Sequence, residues 1–137
     1  MVNHEETSFL NVDLDIYSSK ALDPLVAAFG DRVRVLFAGR EGRRHSAHLE
    51  LDRSGYGQSA DTIIGGLVRL IRKLPRDASS LWREARVRRF DIGIQSELRP
   101  PSFELPLKAA TLAAIASVQA GLVFTVYAPE IAGRPSP

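Results

Sequence analysis

From Ser8 to Tyr17 the chain alternates apolar and polar positions, with Leu10, Val12, Leu14 and Ile16 in one phase and Asn11, Asp13, Asp15 and Tyr17 in the other. A period of two belongs to a strand with one buried face and one turned outward. The run "RVRVLF" predicts a second strand that buries Val33, Val35 and Phe37 and turns Arg32 and Arg34 out. "SAHLELD" predicts a third, with Ala47, Leu49 and Leu51 inward and His48, Glu50 and Asp52 outward. The glycines and charges of "AGREGRR" between them make a hairpin. Further on, Phe90, Ile92 and Ile94 alternate with Arg89, Asp91, Gly93 and Gln95 in a fourth strand, and "LVFTVY" is the fifth.

Between strands the period changes. "SSKALDPLVAAFG" predicts a short helix with Ser18, Ser19 or Asp23 as caps, Pro24 in the first turn and Gly30 at the end. Behind a Ser59 cap, Ile63, Ile64, Leu67, Val68, Leu70, Ile71 and Leu74 form one stripe of an amphipathic helix, with Arg69, Arg72 and Lys73 opposite and Pro75 at its close. "ASSLWREA" predicts a short helix whose Leu81 and Trp82 cover an edge of the core, and Leu107 to Gln119 an alanine-rich helix ended by Gly121. Gly65 and Gly66 each cost about 1 kcal/mol relative to alanine inside a helix. Their placement predicts close approach by another backbone, such as that of a partner chain.

This order of elements predicts an α+β, two-layer sandwich: a roughly five-stranded, mainly antiparallel sheet with two to four helices on one face. Residues 1–128 form the single domain and 129–137 a flexible tail. With helices on one side, the other sheet face is open and carries Asp13, Asp15, Arg32, Arg34, His48, Glu50, Arg89 and Asp91, a mixture of signs able to form cross-strand pairs. Gly93 leaves a notch in that face or marks a bulge. The smooth alanine-rich helix, or a sheet edge, predicts a homodimer.

The segments "ALDPL", "TIIGGLVRLIRKLP", "LW", "FDIGIQ", "LKAATLAAIASVQAG" and "LVFTVY" together resemble a bacterial domain family of unknown function, some of whose members are associated with immunity to toxins. The resemblance runs over most of the chain and lies in hydrophobic spacing. It implies no catalytic residues; a protein partner and no cofactor are the expectation from the sequence as a whole.

Composition narrows the remaining chemistry. No apolar run approaches the roughly 20 residues of a membrane span, and "MVNHEETSF" lacks a signal-peptide profile, so the expectation is a soluble, cytoplasmic protein with no membrane contact. The lack of cysteine removes disulfides and thiolate chemistry. Net charge is only +2, but fifteen arginines stand against three lysines, and arginine offers a rigid fork to carboxylates and phosphates. Arg83, Arg86 and Arg88, in "WREARVRRF", form a candidate basic rim with aromatic residues interleaved, the basis of an alternative nucleic-acid reading.

"GYGQSA", residues 55–60, has the spacing of a dinucleotide-binding turn, but it comes after the second arm of a hairpin rather than the first strand of a parallel unit, so it reads as a glycine-rich link. Asp13, Asp15, His48, Glu50 and Asp91 have the residue types of an oxygen-rich metal site or a small carboxylate enzyme, yet Arg32, Arg34 and Arg89 on the same face neutralise them. His45 and His48, three apart on a strand, face opposite ways, and His4 lies near the terminus. The sequence therefore predicts a non-catalytic protein-binding module using the open face or the arginine rim. The nucleic-acid and enzymatic readings stand as alternatives.

Overall fold

The computed structural model describes residues 6–52 and 58–129. His4, the first half of the glycine-rich segment at 55–60 and nearly all of the expected tail lie outside the described residues. Five strands, β1 (Ser8–Ser18), β2 (Val33–Glu41), β3 (Arg44–Leu51), β4 (Val87–Gln95) and β5 (Gly121–Tyr127), form one sheet in the order β2-β3-β1-β4-β5. All neighbours are antiparallel except β4 and β5, which are parallel. A parallel pair needs a crossover, and the connection through helix α4 (Ala109–Ser117) supplies it. Helices α1 (Asp23–Phe29), α2 (Ala60–Arg72) and α3 (Arg76–Glu84) complete the second layer. The architecture is the expected α+β sandwich.

One apolar cluster joins the layers. Val12, Leu14, Ile16, Leu49, Phe90 and Ile92 from the sheet are fully buried against Leu25, Ile63, Ile64 and Leu67 from the helices. Each such side chain contributes roughly 1.5–3 kcal/mol over an exposed one. The α2 stripe is buried as its spacing predicts, and Ser59 caps the helix by accepting a hydrogen bond from the Thr62 backbone N–H. Trp82 closes one edge, donating its indole N–H to the Val118 carbonyl at 3.0 Å. Asp61, at the start of α2, reaches the start of α4, where Oδ1 accepts from the Lys108 backbone N–H at 3.0 Å and the Thr111 hydroxyl at 2.5 Å.

Several expectations are corrected. The hairpin between β2 and β3 turns on Gly42 and Arg43 alone, with Gly42 at φ 63°, so the strands extend through most of the expected link. No side chain caps α1: Leu22 precedes it, and Asp23 and Pro24 form its first turn. Arg32 lies in a 3-10 turn, Gly30–Arg32, ahead of the strand it was expected to begin. Gly66 faces the core rather than a partner chain. A Cβ there would sit 2.7 Å from Leu51 Cδ2, so the missing side chain makes room for Leu51, whereas Gly65 has only the tip of Arg69 within 4 Å.

The largest departures are two β-bulges. Pairing of β1 with β4 shifts between Phe9 and Asn11, leaving Leu10 unpaired, and pairing of β2 with β3 shifts between Val35 and Phe37, leaving Leu36 unpaired. An extra residue reverses the facing of the strand beyond it. Leu10 and Phe37, expected inward, are therefore 47% and 40% exposed, and Phe37 pairs with His48 on the open face. Val35 keeps the inward phase but stays 46% exposed at the sheet edge.

Candidate functional site

Sheet register sorts the polar face into rows. Asp13 lies directly between Glu50 on β3 and Asp91 on β4, and Arg34 on β2 is opposite Glu50. One residue pair along, Asp15 lies between His48 and Arg89. The two rows differ in how their charge is matched.

The Asp15 row is neutralised internally. Asp15 is only 4% exposed although it points away from the core. Its Oδ1 lies 2.7 Å from His48 Nδ1 and its Oδ2 accepts from Arg89 Nε at 3.2 Å. Tyr17 packs edge-on to the His48 ring at 5.5 Å, and the Arg44 guanidinium lies 4.2 Å from the centre of the Tyr17 ring. The Phe37 ring, brought to this face by the Leu36 bulge, lies 6.1 Å from that of His48 at a tilt of 47°. Ion pairing and aromatic cover together explain how a carboxylate is buried on the outer face.

The Asp13 row carries excess negative charge. Glu50 forms an ion pair with Arg34 and accepts from Asn11 Nδ2 at 2.6 Å, while Asp91 accepts from the Thr125 hydroxyl at 2.7 Å. The Asp13 carboxylate, between them, has no hydrogen bond and no ion pair among the described residues. Burial, followed by the charges of Asp15, Glu50 and Asp91, pushes its pKa up to about 6, with His48 pulling the other way. Asn11 Oδ1, buried beside this row, also lacks a hydrogen-bond donor.

Above the row opens a cavity of about 370 Å³. Its floor is Asn11, Asp13, Glu50, Asp91 and Gly93; Leu10, Leu36 and Tyr127 contribute its apolar surface. Gly93 lies opposite the Phe9/Asn11 bulge, and a Cβ there would meet only ordinary contacts, at 3.6 Å or more, so both parts of its expectation apply. The two bulges thus set leucines around an acidic centre. Among the described residues, no three His, Asp or Glu side chains converge closely enough to form a metal-ligand set.

The structure brings together Asp13, Glu50, Asp91 and Arg34, and separately Asp15, His48 and Arg89, while Arg32 joins neither row. The rim residues are divided. Arg88 is on the helix side of β4, where its guanidinium donates to the carbonyls of Trp82, Arg83, Ala85 and Gln119. Arg83 is exposed and donates to the hydroxyls of Ser79 and Ser80. Arg86 is exposed where the chain enters β4. Trp82 and Phe90, the aromatics interleaved with these arginines, are buried and present no stacking surface. Sequence periodicity missed Leu10, Leu36 and Tyr127 as site residues. The adjacent apolar residues "FL" and "VLF", which break strict alternation, were the available signal.

Among the described residues, no helix is long and apolar enough to cross a membrane. Comparison with protein-family models, with curated proteins and with solved structures gives no match to this chain.

Proposed function

We propose that this chain is a non-catalytic, cytoplasmic protein-binding module of the immunity or regulatory kind, and that it binds through the open sheet face. The carrying observation is that both β-bulges turn leucines out around the Asp13 row, leaving Leu10 and Leu36 about half exposed beside unmatched charge. Isolated exposed leucines are ordinary, but apolar residues grouped within a polar rim have the anatomy of a binding surface. The arginine rim supports a nucleic-acid reading less well, because Arg88 is committed to backbone carbonyls and the nearby aromatics are buried. A pKa near 6 would suit an acid–base catalyst, but the groups flanking Asp13 are two further carboxylates, an arrangement better matched to holding a cation than to moving a proton.

The test is capture from native lysate with nuclease present, comparing wild type, Leu36→Glu and the double variant Arg83→Glu/Arg86→Glu. The expected outcome is a protein that survives nuclease, is retained by the rim variant and is lost from Leu36→Glu. Retention of only nuclease-sensitive material, lost from the rim variant, would move the function to nucleic acid. Turnover by purified protein that Asp13→Asn abolishes would make it an enzyme.

A further inference from the structure

We infer that the cavity over Asp13 receives one lysine or arginine side chain presented by a protein partner. This identifies what the open face recognises, and it rests on the protein-binding reading above.

Three features meet there. The first is unmatched charge: Glu50 has Arg34 and Asn11, Asp91 has Thr125, and Asp13 between them has no partner among the described residues. The second is the cavity itself, which opens directly above Asp13 and its two flanking carboxylates. An ammonium brings three N–H donors and a guanidinium five, enough for Asp13 and for lone pairs of those neighbours. The third is the apolar lining, set by chain geometry independently of the acids. Leu10 and Leu36 reach the cavity because each is the extra residue of a bulge, and Tyr127 joins them from β5. Lysine and arginine carry their charge on an alkyl stem that packs on apolar surface while the head finds its partner. A compact hydrated metal ion has no use for such walls, and the acids do not converge as its ligands would require.

The free protein carries the cost of this arrangement. Like charges directly opposite one another on neighbouring strands are destabilising, and Asp13 has one on each side. A cation entering the cavity relieves that repulsion as it binds. At about 370 Å³ the space lies at the small end of the roughly 300–1,000 Å³ typical of ligand pockets, a size for one side chain.

The experiment is a ¹⁵N–¹H NMR titration of the full chain with lysine, arginine and norleucine, each capped at both termini, and with putrescine. The capped basic residues should shift the resonances of Asp13, Gly93 and Tyr127, with Kd on the order of 1 mM for a ligand of this size. Capped norleucine should not bind. Going from pH 7.5 to 5 should weaken binding about tenfold as Asp13 takes up a proton. Asp13→Asn should reduce binding at least tenfold, and because this change removes a repelled charge, misfolding does not explain the loss. Gly93→Leu should fill the notch and block binding, while Gly93→Ala, which meets no close contact, keeps the fold as its control.

Equal binding of norleucine, or binding unaffected by Asp13→Asn, would overturn the inference. So would putrescine binding a hundredfold tighter than capped lysine, which would make the occupant a free diamine. If the partner captured from lysate is lost from Leu36→Glu but kept by Asp13→Asn and Gly93→Leu, the face binds protein without this pocket, and the inference alone fails. If capped lysine binds but no protein is captured, the protein-binding reading fails, and with it the assignment of the cation to a partner.

Discussion

Arg88 lies opposite Ile16 and Arg89 opposite Asp15, so consecutive arginines emerge on opposite faces of the sheet. Arg89 joins the ion-paired row, whereas Arg88 ties together the ends of α3 and α4 through four backbone carbonyls, of which that of Trp82 also accepts from the Ala85 N–H. Hydrogen bonds from a charged donor are among the stronger ones. Arg88→Ala should therefore destabilise the protein by about 2 kcal/mol in urea denaturation, while Arg83→Ala and Arg86→Ala should stay within about 0.5 kcal/mol of wild type. Equal effects of the three would show that Arg88 does not hold the helix ends. Gly65 and Gly66 separate in a similar way. Gly65→Ala places a methyl in ordinary contact and should raise stability by about 0.5–1 kcal/mol through helix propensity. Gly66→Ala must displace Leu51, so that gain should vanish or reverse. Pairing it with Leu51→Ala should recover part of the gain, a non-additivity that a double-mutant cycle measures.

Elements were legible where one periodicity held throughout. The α2 stripe, its Ser59 cap and the alternation of β4 are found as expected. The bulges were hidden because Leu10 is in phase with Val12 in sequence, and only three-dimensional pairing reveals the shift between Phe9 and Asn11. In "VLF" the consecutive apolar residues fit either phase, so the pattern alone cannot place Phe37. The anchoring of the start of α4 on α2 was equally invisible, being made by an aspartate that reads as an ordinary first-turn acid. Hydrogen bonds from Thr111 and then from the Lys108 backbone hold the Asp61 carboxyl below its usual pKa. The ionised form thus favours the folded state, so its contribution is present above the unfolded pKa and is lost as pH falls through the folded one. Asp61→Ala should cost about 1 kcal/mol at neutral pH, as loss of a helix cap does, with faster amide exchange at the start of α4. Unchanged exchange there would mean that α4 is anchored without Asp61.

Across the whole molecule, the residues of the open face could be named from sequence, but their division into one matched row and one unmatched row could not. That division depends on register: moving β3 by a single residue against β1 would take Glu50 away from Asp13 and turn it toward the core. Register also sets how stability responds to pH, because Asp13 and Asp61 titrate with opposite consequences. Asp61, with its pKa lowered, adds stability as pH rises through the acid range. Asp13, with its pKa raised from 3.8 to about 6, has the reverse effect: the folded protein holds the proton more tightly than the unfolded chain, and stability is lost as pH rises from about 4 through 6. Their sum should peak at about pH 4–5 and decline toward neutrality. Asp13→Asn should remove that decline and raise stability at pH 7.5 by about 1–2 kcal/mol, after allowance for solvent screening, with little change at pH 4. Thermal unfolding of both proteins across pH 3–8 measures the difference directly. If the Tm gap between Asp13→Asn and wild type is the same at pH 4 and pH 7.5, Asp13 is not held under strain by its neighbours. If the gap opens with the ionisation of Asp13, a partner's cation should close it, raising the wild-type Tm at pH 7.5 while leaving Asp13→Asn unmoved.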